Sequence, residues 1–91
     1  MGNDEKVERL KSIKVDIELR KLLFEVDLHD IDKVLREIAL MKRGKSLIVR
    51  DKILNLIKLR DRLKDNLSQI DNELKKIQIE INHAENENPN F

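Results

Sequence analysis

Several residue types that other folds depend on are scarce or missing in this sequence. The 91 residues include no Cys, Trp or Tyr, one Pro and two Gly. Without Cys there is no disulfide framework and no thiol chemistry. So few Gly and Pro leave little of the turn chemistry that a sheet requires, so long helices are expected. The chain is predicted to be all-α and to form one domain, residues 1–91.

Long apolar runs and a dominant sign of charge are also absent. Charged residues make up 41% of the chain, yet the net charge is only +1. A balance of this kind creates no overall field that would attract a nucleic acid or a membrane. Because no apolar N-terminal run indicates a signal peptide or a membrane span, we expect an intracellular protein, cytoplasmic or nuclear, with no membrane partner.

What the sequence does contain is a repeat of apolar residues at alternating three- and four-residue steps, typical of helices packed in a coiled coil. In the second half of the chain the repeat comprises Val49, Ile53, Leu56, Arg60, Leu63, Leu67, Ile70, Leu74, Ile77, Ile81 and Ala84. In the first half it comprises Leu10, Ile13, Ile17, Arg20, Phe24, Asp27, Ile31, Val34, Ile38 and Met41. Each set is called here the predicted seam of its helix.

Two long helices are therefore predicted, over about residues 4–43 and 47–86. They are joined by a short turn at 43–46, where Gly44 can adopt the left-handed conformation and Ser46 can cap the second helix. The tail, residues 87–91, has no periodicity and contains Pro89, so it is expected to fray. The fold predicted is a long antiparallel helical hairpin, a two-stranded coiled coil.

A tight turn would fix which seam residues meet across the hairpin. The predicted register places Ile31 opposite Leu56, and it places Asp27 opposite Arg60. These last two are charged interruptions of apolar seams, and together they would form an ion pair that selects the register. The alternative is that both side chains extend out of the seam independently of each other.

Apolar residues beyond the seams suggest where a partner would bind. Five of them, Val15, Leu19, Leu22, Leu23 and Val26, share the face of the first helix opposite its seam. Further off-seam residues are Leu40, Leu47, Leu54 and Ile57. Because a lone hairpin would leave this surface in water, we expect a partner. It would be either a second copy, giving a homodimeric four-helix bundle, or another helical protein in a larger complex.

A cluster of basic residues surrounds the predicted turn and suggests an alternative function. Lys42, Arg43, Lys45, Arg50 and Lys52 lie within eleven residues, opposed only by Asp51. On this alternative, a small dimeric helical bundle would bind nucleic acid through its basic tip or its outer faces. The absence of Tyr and Trp, the near-neutral charge and the lack of a known motif argue against it.

No arrangement of polar residues indicates catalysis. Residues 39–46 loosely match a phosphate-binding loop, but they follow a predicted helix rather than a strand. Glu80 and His83 have the spacing of a metal-binding helix but no second copy, and His29 has no nucleophile nearby. We therefore expect a non-enzymatic interaction or assembly module with no metal, cofactor or small-molecule substrate.

Overall fold

The computed structural model describes residues 2–41 and 47–87, and this part of the chain forms two long helices. Helix α1 spans Gly2–Ala39 and helix α2 spans Leu47–Asn86. They pack along each other as a rod 72 Å long and about 15 Å across, and the described residues contain no strand. The predicted all-α helical hairpin is confirmed.

The ends of the two helices differ in how well the sequence predicted them. Helix α2 has the predicted bounds, whereas α1 ends at Ala39, four residues before the predicted end at residue 43. Just beyond Ala39, the N–H of Leu40 donates to the carbonyls of Arg36 and Glu37 at 3.1 and 3.2 Å. The bond to Glu37 spans three residues, as does the bond from the N–H of Met41 to the carbonyl of Ile38 at 3.1 Å, and bonds of this kind tighten a last helical turn. The predicted turn, with Gly44 and Ser46, and the tail from residue 88 lie outside the described residues.

The side of α2 that packs against α1 is the predicted one. All eleven positions of its predicted seam are buried or half-buried. A buried cluster joins Ile17 of α1 to Ile70, Ile77 and Ile81 of α2, and Leu10, Phe24 and Leu74 pack around it. Only apolar side chains are buried among the described residues, as expected for a core stabilised by removing hydrocarbon from water.

The side of α1 that packs against α2 differs from the predicted seam at alternate positions. At these positions the packed residue is the next one in the sequence, for example Lys14 instead of Ile13. The buried and half-buried positions that form its seam are Val7, Leu10, Lys14, Ile17, Lys21, Phe24, Leu28, Ile31, Leu35 and Ile38. Half of the predicted seam is therefore wrong: Ile13, Arg20, Asp27, Val34 and Met41 are exposed.

Lysine side chains explain why the packed side could not be read from apolar residues alone. The Lys14 ammonium donates to Oε1 of Gln78 at 2.7 Å, and that of Lys21 lies 2.9 Å from Oδ1 of Asp71. Each long stem can lie along the apolar seam while its charged end reaches a polar partner on α2. The short carboxylate of Asp27 could not do this in the predicted seam.

The register of the hairpin also differs from the predicted one. Polar contacts cross between Lys6 and Glu87, Lys14 and Gln78, Arg20 and Glu73, Lys21 and Asp71, and Asp32 and Arg60. In each pair the residue numbers add to 92 or 93, whereas the predicted register requires 87. The prediction assumed that α1 continued to residue 43 and turned tightly. Because α1 ends at Ala39, that constraint does not hold.

Candidate interaction surface

The side of α1 that faces away from α2 carries a group of exposed aliphatic side chains, which we call the outer face. It consists of Val15, Leu19, Leu22, Leu23 and Val26, whose side chains are between 52% and 66% exposed. Ile17, on the opposite side of the same turns, is only 6% exposed. The middle of α1 is therefore apolar on two sides, of which only one is covered by α2.

The spacing of these residues explains why they form a continuous surface. Val15, Leu19, Leu22 and Val26 follow steps of four, three and four residues, which keeps side chains in one straight stripe along a helix. Leu23 lies beside this stripe. At about 1.5 Å of rise per residue, the stripe is roughly 16 Å long. It has the form of a second, unoccupied helix-packing seam.

Acidic side chains border the outer face. Glu18 and Glu25 lie along one edge, and Asp16 and Asp30 lie along the other, all of them exposed. Apolar residues in the centre with charged residues at the rim is the usual organisation of a helix-packing interface. The outer face is thus an exposed apolar stripe between two acidic edges.

A second set of exposed apolar residues flanks the turn. Leu40 and Leu47, both predicted to face a partner, are 79% and 74% exposed, and Leu54 is 54% exposed. The prediction that Ile57 is exposed to a partner is wrong, because Ile57 is half-buried beside the α2 seam. Sequence reasoning missed Ile48, which is 69% exposed. The sequence indicated its exposure only through its position between Leu47, which is off the seam, and Val49, which is in the seam.

The charged layer within the hairpin is formed by different residues from those predicted. A guanidinium nitrogen of Arg60 lies 4.0 Å from Oδ1 of Asp32, and Nε lies 3.9 Å from Oδ1 of Asp61. Nε is buried and has no hydrogen-bond partner. Asp27 is exposed and does not pair with Arg60, because the register brings Asp32 to that level instead. Contacts this long contribute little to stability.

One lysine of the α1 seam has a perturbed ionisation. The hydrogen bond to Asp71, and then the charge of that carboxylate, raise the pKa of Lys21 above 10.5. Glu18 and Glu25 act in the same direction, more weakly. Lys21 thus remains charged at neutral pH, and its ammonium ties α1 to α2.

The basic tip is described only in part. Arg50 and Lys52 are exposed on the first turns of α2, whereas Lys42, Arg43 and Lys45 lie outside the described residues. Over the described ranges, no three His, Asp or Glu side chains are grouped so that they could hold a metal ion. Neither helix, as described, contains a stretch long and apolar enough to cross a membrane.

Comparison with known proteins identifies no relative. No protein-family model matches the sequence, and no curated protein or solved structure matches it either. The function must therefore be argued from the surface of the hairpin itself.

Proposed function

We propose that this protein is a non-enzymatic interaction and assembly module that binds another helix through the outer face of α1. The observation that carries the proposal is the row Val15, Leu19, Leu22 and Val26, each more than half exposed and spaced as a helix-packing seam. Contiguous apolar surface on a folded domain usually marks a site of association. The chain has no Cys, which fits an intracellular setting, cytoplasmic or nuclear.

The energy available from this surface indicates what kind of partner it needs. Complete burial of a Val or Leu side chain contributes ~1.5–3 kcal/mol, so covering one that is about half exposed contributes ~1 kcal/mol. Five such residues would supply roughly 5 kcal/mol, which is near the lower limit of what association costs. A partner with an equivalent stripe would double the gain. The surface therefore favours a helix with its own apolar stripe over a polar surface.

The test compares two double variants with the same spacing and the same added charge. Leu19→Asp with Leu22→Asp places two carboxylates in the outer face, whereas Gln69→Asp with Asn72→Asp places them at exposed positions on α2. Sedimentation of each, with helix content followed by circular dichroism, should show association lost only in the first variant. Association should also be nearly independent of salt, since its centre is apolar. If the first variant associates as wild type does, the outer face is not the interface.

Binding of nucleic acid through the basic tip remains the alternative class of function. Its support is the pair of exposed cations Arg50 and Lys52 together with the sequence around the turn. Exposed Leu47 and Ile48 precede them and favour apolar contacts at the same end. RNA or DNA binding that falls steeply with salt, and is lost on Lys42→Glu with Arg43→Glu, would favour the alternative.

A further inference from the structure

We propose that the partner of the outer face is a second copy of the same chain, with the two α1 helices antiparallel and a two-fold axis passing between Arg20 and Lys21. This inference rests on the proposed function and specifies its partner and geometry. It follows from the order of residues along the exposed stripe of α1.

The apolar part of the stripe is symmetric about that point. In an antiparallel pair centred there, Val15 of one copy lies opposite Val26 of the other, and Leu19 lies opposite Leu22. Each layer thus joins side chains of the same kind, and the four- and three-residue steps match in opposite directions, as antiparallel packing requires. An interface that is complementary to itself in this way is what two-fold symmetry demands.

The stripe continues into charged residues that are complementary under the same symmetry. The next steps of three and four residues lead from Val15 through Ser12 to Glu8 in one direction, and from Val26 through His29 to Lys33 in the other. In the antiparallel pair Glu8 of each copy lies opposite Lys33 of the other. All of these side chains are exposed, and within the described residues neither Glu8 nor Lys33 forms an ion pair. A parallel pair would instead oppose Glu8 to Glu8 and Lys33 to Lys33.

The edges of the stripe add charge pairs of both kinds. Arg9 of one copy flanks Asp30 of the other, and Lys11 flanks Asp32, which is half-buried and lies 4.0 Å from Arg60 of its own α2. Both outer pairs are attractive. Nearer the axis, Glu18 flanks Glu25, which is a repulsive pair. The charges therefore favour the antiparallel arrangement at its ends and weaken it near its centre. This makes the effect of a charge reversal at each position predictable in sign.

The shape of the dimer follows from the position of the outer face. At about 100° per residue, the stripe lies roughly 180° around α1 from the seam that contacts α2. Two hairpins joined through this face would place their α2 helices on the outside. The four helices would lie in a row, with both α1 helices in the middle, rather than in the square arrangement of an ordinary four-helix bundle.

Disulfide formation between single-Cys variants tests the orientation, because the natural sequence contains no Cys. Val15→Cys and Val26→Cys chains, one of them isotope-labelled, are mixed and oxidised at low concentration. The antiparallel pair predicts disulfides between the two different variants in large excess over those within each variant. An excess of disulfides between identical variants would overturn the proposed geometry.

Charge reversal tests the same geometry without any crosslink. Lys33→Glu opposes two carboxylates at both ends of the dimer and should raise the dissociation constant roughly fivefold at low salt. Adding Glu8→Lys to the same chain recreates opposite charges and should restore the wild-type value. Glu25→Lys should tighten the dimer, because it turns the repulsive pair with Glu18 into an attractive one. Equal dissociation constants for all four chains would overturn the inference.

The outcomes separate this inference from the proposed function. Loss of the dimer on Leu19→Asp with Leu22→Asp, combined with disulfides only between identical variants, would keep the outer face as the interface and overturn the antiparallel pairing. A dimer that persists in the double Asp variant would overturn both. A monomer that becomes fully helical only when a different helical protein is added would overturn self-pairing and support the proposed function.

Discussion

At the scale of single residues, the lysines of the α1 seam show how a charged side chain can occupy an apolar contact. Lys14 and Lys21 lie where a coiled-coil pattern would place Leu or Ile, and each extends its ammonium to a polar partner on α2. Asp27 and Arg20, one residue to the side, remain exposed. Residue type alone does not distinguish these positions, because the contact with Gln78 or Asp71 depends on the register.

The raised pKa of Lys21 gives a pH dependence with a definite sign. Because the folded pKa lies above the ordinary 10.5, the contribution of the ammonium to stability is complete below that pH and is lost as the pH rises through the folded value. Wild type should therefore exceed Lys21→Met in urea midpoint by the same amount at neutral and mildly alkaline pH, and by less above pH 10.5.

Lys58→Met, which removes an exposed lysine on α2 with no ion pair among the described residues, provides the control for general alkaline effects. A difference between wild type and Lys21→Met that stays constant through the titration would show that the contact with Asp71 does not depend on charge.

Arg60 is the residue whose replacement should stabilise the hairpin. Its guanidinium is partly withdrawn from water, its carboxylate partners are 3.9 and 4.0 Å away, and its buried Nε has no hydrogen bond. Arg60→Leu should therefore raise the free energy of unfolding by about 1 kcal/mol, measured by urea titration. Arg62→Leu, at an exposed neighbouring position, should change it by less than about 0.5 kcal/mol. A loss of stability in Arg60→Leu would mean that its ion pairs outweigh the cost of burial.

At the scale of the helices, the sequence predicted α2 better than α1 for a physical reason. The α2 seam is apolar at every position except Arg60, and no other side of α2 carries a comparable apolar row. Helix α1 has two candidate rows, which share Leu10, Ile17, Phe24, Ile31 and Ile38 and differ by one residue at the positions between them. Each row adds three apolar residues, so hydrophobic burial alone cannot choose between them. The packed row is the one in which Lys14 and Lys21, both half-buried, make close polar contacts with α2.

A matched pair of substitutions tests which row packs. Leu35 is half-buried, whereas Val34, which belongs to the predicted seam, is 41% exposed. Leu35→Ala should lower the free energy of unfolding by roughly 1–2 kcal/mol, whereas Val34→Ala should cost about 0.5 kcal/mol or less. Urea titrations at one protein concentration provide the comparison. A larger loss of unfolding free energy in Val34→Ala than in Leu35→Ala would show that the predicted seam is the one that packs.

Packing is uneven along the two helices, and local stability should follow it. On α2 the buried residues are Leu63, Ile70, Ile77, Ile81 and Ala84, and four of the five lie in the half away from the turn. Between residues 47 and 62 no residue is buried. Amide hydrogen exchange should therefore be slowest around Ile70 and Ile77 and much faster over residues 47–60. Equal protection along α2 would indicate that something else covers the turn end.

At the scale of the whole molecule, the hairpin is a thin rod with one apolar seam inside and a second one outside. The outer face of α1 was predictable from the sequence because Val15 to Val26 lie opposite any choice of seam. The register was not, since it depended on where α1 ends and on how the chain turns. The partner of Arg60 was missed for the same reason.

The extended shape also limits what the molecule can do alone. A rod 72 Å long and about 15 Å wide places nearly every residue near the surface, and only seven described side chains are buried. A core this small stabilises a chain weakly, as is general for small domains. Covering the outer face would add a second packed layer. Folding and association are therefore expected to be coupled.

Sedimentation equilibrium of the wild-type chain, with circular dichroism over the same concentrations, would show directly whether the outer face holds two copies together. We expect a dimer whose helix content falls as dilution separates the two copies. The Leu19→Asp with Leu22→Asp variant should be a monomer of lower helix content throughout. A wild-type chain that stays monomeric and fully helical at every concentration would show that the outer face is stable in water and needs no partner.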